Sequence, residues 1–235
     1  MKKLIIVAIA VFCVACNQPP GGQGSSADAS GSNAASGGAG SGDERFYGRE
    51  RFTLVGTQTG TEAGSFTEHV RDWGRARAEI KDVTLSMMGV TRRARTRAIY
   101  TGAEVATVDL ETGNVTLMTN PLYSQVVDAM RGRDGVEFGQ AIMTQMGGRA
   151  TGERGRYAGH ECEYWELAQL GSRSCVTQWG ATLHNVTDMA GVRLERTVTE
   201  VRMGDGGPEA AFEYDAARAT QAPSLEDIRA KMRGN

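Results

Sequence analysis

Three observations predict an α+β fold: a large, coiled, antiparallel β-sheet, a half-barrel with a helical pair and a C-terminal helix on one face. Alternation of apolar and polar residues dominates from Arg51 onward. Short Gly-rich turns separate the alternating runs, so neighbouring strands should be antiparallel. Helical periodicity interrupts the strands only in the middle and at the end of the chain, the order of an α+β plan.

The elements follow in chain order. Ala76, Ala78 and Ile80 alternate with Arg75, Arg77, Glu79 and Lys81, the pattern of a strand with one wet face. Arg93, Arg95 and Arg97 alternate with Ala94, Thr96 and Ala98 in the same way. Residues 104–110 and 115–118 are β-prone runs joined by the hairpin turn Glu111-Thr112-Gly113-Asn114. Asn120-Pro121 then supplies a cap and a proline at the first helical position, and Gly132 ends that helix. Leu122, Val126 and Met130 form its apolar stripe. Asp134 with Glu137 makes a capping-box pattern for a second helix, along which Phe138, Ile142 and Met146 share one face until Gly147-Gly148. Strands are expected again at 161–167, 174–179, 182–188, 192–203 and 209–214. Ser224 caps a last helix with Leu225, Ile228 and Met232 on one face. A long antiparallel sheet coils, and helices across its concave side leave either a filled core or a lined cavity.

The first residues bear on compartment. Met1-Lys2-Lys3 precedes an unbroken apolar run from Leu4 to Val14, too short for a membrane span and suited to a signal peptide over residues 1–15. The window Phe12-Cys13-Val14-Ala15-Cys16 resembles a bacterial lipoprotein signal, which implies acylation of Cys16 with chains of the palmitate class. An ordinary cleaved signal with a chance cysteine is the alternative. Asn17 stands where Asp would imply inner-membrane retention, so the resemblance implies the outer membrane, facing the periplasm. Residues 16–42 hold the anchor and a Gly, Ser and Ala tether that cannot bury enough apolar surface to fold. Residues 43–235 suffice for one half-barrel domain with a real core.

Composition excludes some chemistry. The 26 Lys and Arg residues fall to 24 without Lys2 and Lys3, against 28 Asp and Glu, a mature net charge of about −4. Nucleic acid is therefore not an expected partner. No phosphate-cradling Gly-Lys-Ser/Thr, dinucleotide fingerprint or nucleophile elbow occurs, so no cofactor is expected. His160-Glu161-Cys162-Glu163 lies on a strand that points His160 and Cys162 one way and the two glutamates the other, which is no zinc-hydrolase pattern. No catalytic constellation and no metal site is visible, and the chain is not expected to be an enzyme. Cys162 and Cys175 sit on strands joined by a turn near 168–169, and an oxidising periplasm favours a disulfide between them. Two buried thiols or half a metal site are the alternatives. The run Thr91 to Arg97 reads as a wet strand face, or as a contact for lipid phosphates.

The stretch Gly56-Thr57-Gln58-Thr59-Gly60-Thr61, then Asp72-Trp73-Gly74, resembles the opening of an uncharacterised bacterial envelope lipoprotein family. Residues 159–165 with Trp179-Gly180 and Thr182-Leu183 resemble its second half. That family is similar to the lipoprotein-localisation-factor superfamily, whose half-barrels hold apolar ligands under a helical lid. The resemblance implies a lipid or other hydrophobic ligand in an apolar cavity. From the strands Ile80, Ile99, Val108 and Leu117 are the candidate lining, and from the helices Val126, Met130, Phe138, Ile142 and Met146. The expected partners are the membrane through the anchor, the ligand, and another envelope protein. The competing expectation is a scaffold or protein-binding module with a filled core. An enzyme acting near His160 and Glu161 ranks behind both.

Overall fold

Period-two patterning becomes two antiparallel meanders. The computed structural model describes residues 44–87, 89–120, 123–189 and 191–223. The first meander is β1 (Phe52–Gly60), β2 (Glu62–Arg71), β3 (Ala76–Met87), β4 (Val90–Thr101), β5 (Glu104–Asp109) and β6 (Val115–Thr119). The helices α1 (Tyr123–Met130) and α2 (Gly135–Gln145) follow. The second meander is β7 (Arg149–Tyr157), β8 (His160–Leu167), β9 (Ser172–Val176), β10 (Thr182–Met189) and β11 (Val192–Met203). Pairing of β1 with β11 fuses the two into one sheet, and a short β12 (Ala219–Gln221) adds to β6 in parallel. The twelve strands run β12-β6-β5-β4-β3-β2-β1-β11-β10-β9-β8-β7. The helical pair therefore connects the two sides of the sheet, the β6 side to the β7 edge.

Local chemistry explains the helix and turn boundaries. The Asp134 carboxylate accepts from the backbone N–H groups of Val136 and Glu137, capping α2, and Gly147 (φ 81°) follows its last turn. The Asp109 carboxylate accepts from Glu111 N and Thr112 N, which shapes the β5–β6 turn.

Register assigns side chains to faces. Phe52, Leu54, Glu68, Val70, Arg77, Glu79, Lys81 and Tyr100 share one face through β1–β4, and Arg196 joins them from β11. Arg196 Nη2 donates to Glu79 Oε1 at 2.7 Å although β1 and β2 lie between their strands. In a flat sheet those strands stand about 14 Å apart, so this is the side toward which the sheet coils. The Arg196 guanidinium lies 4.1 Å over the Phe66 ring, and that ring crosses β1 at Gly56, where a Cβ would come within 2.6 Å of it. Phe52, Leu54, Phe66, Val70, Leu183 and Val198 form the main buried cluster.

Three features differ from the sequence expectation. Strand β7 carries no strand signal in the sequence, because Gly152 and Gly155 break its alternation; its pairing with β8 shifts between Ala150 and Arg154. Gly155 passes over the disulfide, where a Cβ would stand 2.9 Å from Cys175 Sγ. The strand expected at 209–214 is instead a 3-10 turn at Glu209–Phe212, part of an irregular strap. The face of β3 expected to be wet is the concave one and is half-buried. The C-terminal helix from Ser224, and Pro121 and Leu122, lie outside the described residues.

Candidate functional site

The concave face carries a gradient from end to end. Where β1 begins, Tyr47 and Trp179 pack edge-on against Phe52, at ring separations of 5.2 and 4.8 Å. Backbone bonds from Phe46 N and Tyr47 N to Trp73 O, and from Gly48 N to Trp179 O, hold this segment against the sheet. Helix α1 meets it through Tyr123, 6.4 Å from Phe46, and α2 passes Gly180 with Val136.

Beyond Tyr47 the face turns ionic. Arg77 pairs with Glu68 at 2.9 Å, Arg196 with Glu79 at 2.7 Å, and Lys81 with Glu79 at 3.7 Å and Glu62 at 3.5 Å. Glu68 and Glu79 keep only 12% of their side-chain surface in solvent. Burial by itself would raise the Glu79 pKa, but Arg196, Lys81 and Arg77 hold it below the ordinary carboxylate value. Burial raises the Tyr47 and Tyr100 pKa values, so both phenols stay neutral. Three acids face three bases, so the strip is internally compensated. Gln58, 1% exposed, donates from Nε2 to Glu62 at 2.8 Å, and its Oε1 has no partner among the described residues. Such a strip offers paired donors and acceptors in a partly dry setting, which suits recognition of a polar chain.

The convex face is built differently. Ile99, Ala106, Val108 and Val115 form a second buried cluster, with Leu117, Tyr214 and Ala219 packed on it. The strap that brings Tyr214 and Ala219 is pinned by two arginines. Arg97 donates to Ala210 O and Glu213 O at 2.5 and 2.6 Å. Arg71 donates to Gly206 O at 2.8 Å, also to Gly207 O and Glu209, and stacks over Phe212. Beneath the strap Thr53 donates to Asp205 O at 2.8 Å, so its hydroxyl oxygen accepts from His69 Nδ1 at 2.8 Å. Burial lowers the His69 pKa. Arg93 and Arg95 both pair with Asp82. Of the arginines considered for lipid phosphate, Arg93, Arg95 and Arg97 are thus engaged within the protein.

The disulfide between Cys162 and Cys175 is present, with Cα atoms 5.3 Å apart. Tyr164 is the residue opposite Cys175, so the cysteines are diagonal neighbours across β8 and β9. Beside them Tyr157 and Tyr164 share a short hydroxyl bond at 2.5 Å, Tyr157 stacks on His184, and His184 Nε2 meets Glu195 at 3.2 Å. Burial, then the Tyr164 bond, pushes the Tyr157 pKa up to about 12. Two open clefts meet at His160 and Trp179. One of about 600 Å³ is bounded by Arg49, Arg51 and Met203, and one of about 260 Å³ by Gln140, Arg154, Glu161 and Glu163. Among the described residues no group of three or more His, Cys, Asp or Glu side chains is arranged to hold a metal.

The candidate cavity residues are not brought to one place. Ile80, Ile99, Val108 and Leu117 lie on the convex side, because Ile80 and Ile99 alternate with Arg77, Glu79 and Tyr100 in register. Met130 and Phe138 are buried on the helices, while Val126, Ile142 and Met146 are half-buried. Sequence reasoning missed the ionic strip because Glu79 and Arg196 are 117 residues apart; the acidic and basic alternation of β3 is its only local trace.

No protein-family model matches the chain, and no curated protein matches it. Solved structures with a related outline include an uncharacterised conserved protein from Thermus thermophilus, at 11% identity and a TM-score of 0.47. That alignment covers 74% of this chain and 91% of the other. MucB aligns at 14% identity and a TM-score of 0.39, over 71% of this chain and 58% of MucB. LprF from Mycobacterium bovis aligns at 13% identity and a TM-score of 0.32, over 68% of this chain and 87% of LprF. Scores below 0.5 leave the function to be argued from this chain's own geometry. Among the described residues no helix is long and apolar enough to cross a membrane.

Proposed function

We propose that the chain is a non-enzymatic, lipid-anchored module of the bacterial envelope, held at Cys16 and probing the periplasm from the outer membrane. Its half-barrel recognises a segment of another envelope protein on the concave face. The observation that carries this reading is the strip of Glu62, Glu68, Arg77, Glu79, Lys81 and Arg196, half-buried and mutually compensated where a lipid carrier would be apolar. A peptide backbone brings donors and acceptors for the hydrogen-bonding capacity these paired groups still hold, whereas an acyl chain would strip water from the charges and offer nothing in its place. Gln58 Oε1, without a partner among the described residues, is an acceptor of the kind a peptide N–H would meet.

A second reading, a lipid held beneath the helical pair, draws on the buried Met130 and Phe138. Detergent-free native mass spectrometry of the mature chain, carrying Cys16→Ser and purified from the periplasm, separates the two. The protein-binding reading expects the bare polypeptide mass, unchanged after incubation with envelope lipids. A discrete adduct that extracts into organic solvent would replace it with the lipid reading.

A further inference from the structure

The end of the sheet opposite Tyr47 carries two apolar prongs. In sequence the β3–β4 and β10–β11 turns read Met87-Met88-Gly89-Val90 and Met189-Ala190-Gly191-Val192. Hairpin turns ordinarily take polar residues such as Asn-Gly. Here Val90 is 67% exposed, Met189 49% and Val192 44%.

Register places the prongs at one level. Leu85 of β3 pairs with Glu62, and Leu194 of β11 pairs with Gly60, on either side of the β1–β2 turn. One same-face step further out come Met87 opposite Val90 and Met189 opposite Val192. Each prong thus extends about 7 Å beyond the level of Gly60 and Glu62, and Val90, Met189 and Val192 all belong to the concave face. Thr61 ties the prongs together, since its N–H donates to Arg193 O at 2.9 Å and its carbonyl accepts from Ser86 N at 2.8 Å.

We infer that these prongs dock on a phospholipid surface, giving the module a second, reversible membrane contact besides its acyl anchor. Charge argues for that occupant. Arg92 lies two residues after Val90 and Arg193 directly after Val192, against Asp188 alone on the other flank. Apolar tips backed by arginine match the acyl boundary and the phosphates above it. Chain length allows it. The tether enters the fold beside Trp73, at the opposite end of β3, whose 12 residues span about 40 Å. The 28 residue-to-residue steps from Cys16 to Glu44 reach at most about 95 Å, so one bilayer can hold the anchor and receive the prongs. Three side chains suffice for a contact made at the high effective concentration a tether provides.

The test uses the mature chain from residue 16 carrying Cys16→Ser, so that no acyl chain is present. It is sedimented with vesicles of phosphatidylethanolamine and phosphatidylglycerol, and with phosphatidylcholine alone. The chain should partition to the first, and Val90→Asp with Val192→Asp should lower partition about tenfold with unchanged circular dichroism. Val90→Ser with Val192→Ser should give a smaller loss, and Arg92→Gln with Arg193→Gln should remove the preference for anionic vesicles. Equal partition of the parent and the aspartate variant, or no partition of either, overturns the inference. So does a dimer in solution that the aspartate variant dissolves, which would make the prongs an interface between two copies. None of these outcomes depends on what the concave face binds.

Discussion

The two faces of the sheet solve opposite problems. On the convex face the cluster of Ile99, Ala106, Val108 and Val115 is apolar and is sealed by the chain's own strap, which Arg71 and Arg97 fasten by donating to its carbonyls. The concave face carries three acids and three bases that satisfy one another across non-adjacent strands, and no segment of the described chain fastens to them in that way. Apolar surface is best covered permanently, because its burial is favourable and undemanding of direction. A compensated ionic strip is stable uncovered and still holds directional groups for a partner. The contrast separates a face the chain closes itself from one left open to the proposed partner.

Breaking one charge should have the largest effect. Glu79→Gln leaves Arg196 and Lys81 short of a counter-charge in a half-buried strip and should cost about 3–4 kcal/mol in urea unfolding. Replacing the pair together, Glu79→Leu with Arg196→Met, should recover most of that loss. On the other face Ile99→Ala should cost about 3 kcal/mol by cavity formation. Hydrogen exchange should then rise first in residues 205–221, leaving the proposed concave-face binding intact. Arg97→Ala should cost about 1 kcal/mol and loosen the same strap.

Acid should distinguish the faces without mutation. His69, on the convex side, has its pKa lowered by burial. The unfolded chain therefore binds a proton more readily, and His69's stabilising contribution is full above about pH 6.5. It declines as pH falls toward the folded value. Glu79, on the concave side, is held below the ordinary carboxylate value by its three bases despite burial. Its contribution is present above about pH 4.5 and is lost as pH falls through the lower, folded value. Melting temperature followed from pH 7.5 to 3.5 should fall in two stages, the upper removed by His69→Asn and the lower by Glu79→Gln. The smallest effect is expected at Arg93→Gln, whose exposed pair with Asp82 should leave the melting temperature within error.

Much of the architecture was legible in the sequence because its signals are local. Alternation located β11 at Val192–Met203, Asp134 marked the start of α2, and turn residues 111–114 placed the β5–β6 hairpin. The cysteine pairing was legible to within two residues, the structure setting Cys162 diagonal to Cys175 rather than opposite it. What escaped is non-local. Alternation divides Ala78 and Ile80 from Arg77 and Glu79 but does not say which set faces inward, since that depends on an arginine three strands away. The strap carries no periodic signal because its order comes from Arg71 and Arg97, more than 100 residues earlier. Strand β7 was hidden by glycines that pack against the disulfide or relieve the break in register.

The most direct measurement is photocrosslinking in the native host, with the photoreactive residue at Thr96 beside Lys81 on the concave face, or at exposed Thr57 on the convex face. The account predicts a discrete protein adduct from position 96 that Glu79→Leu with Arg196→Met abolishes, and none from position 57. Adducts from position 57 alone, or from position 96 unaffected by removal of the charges, would contradict it.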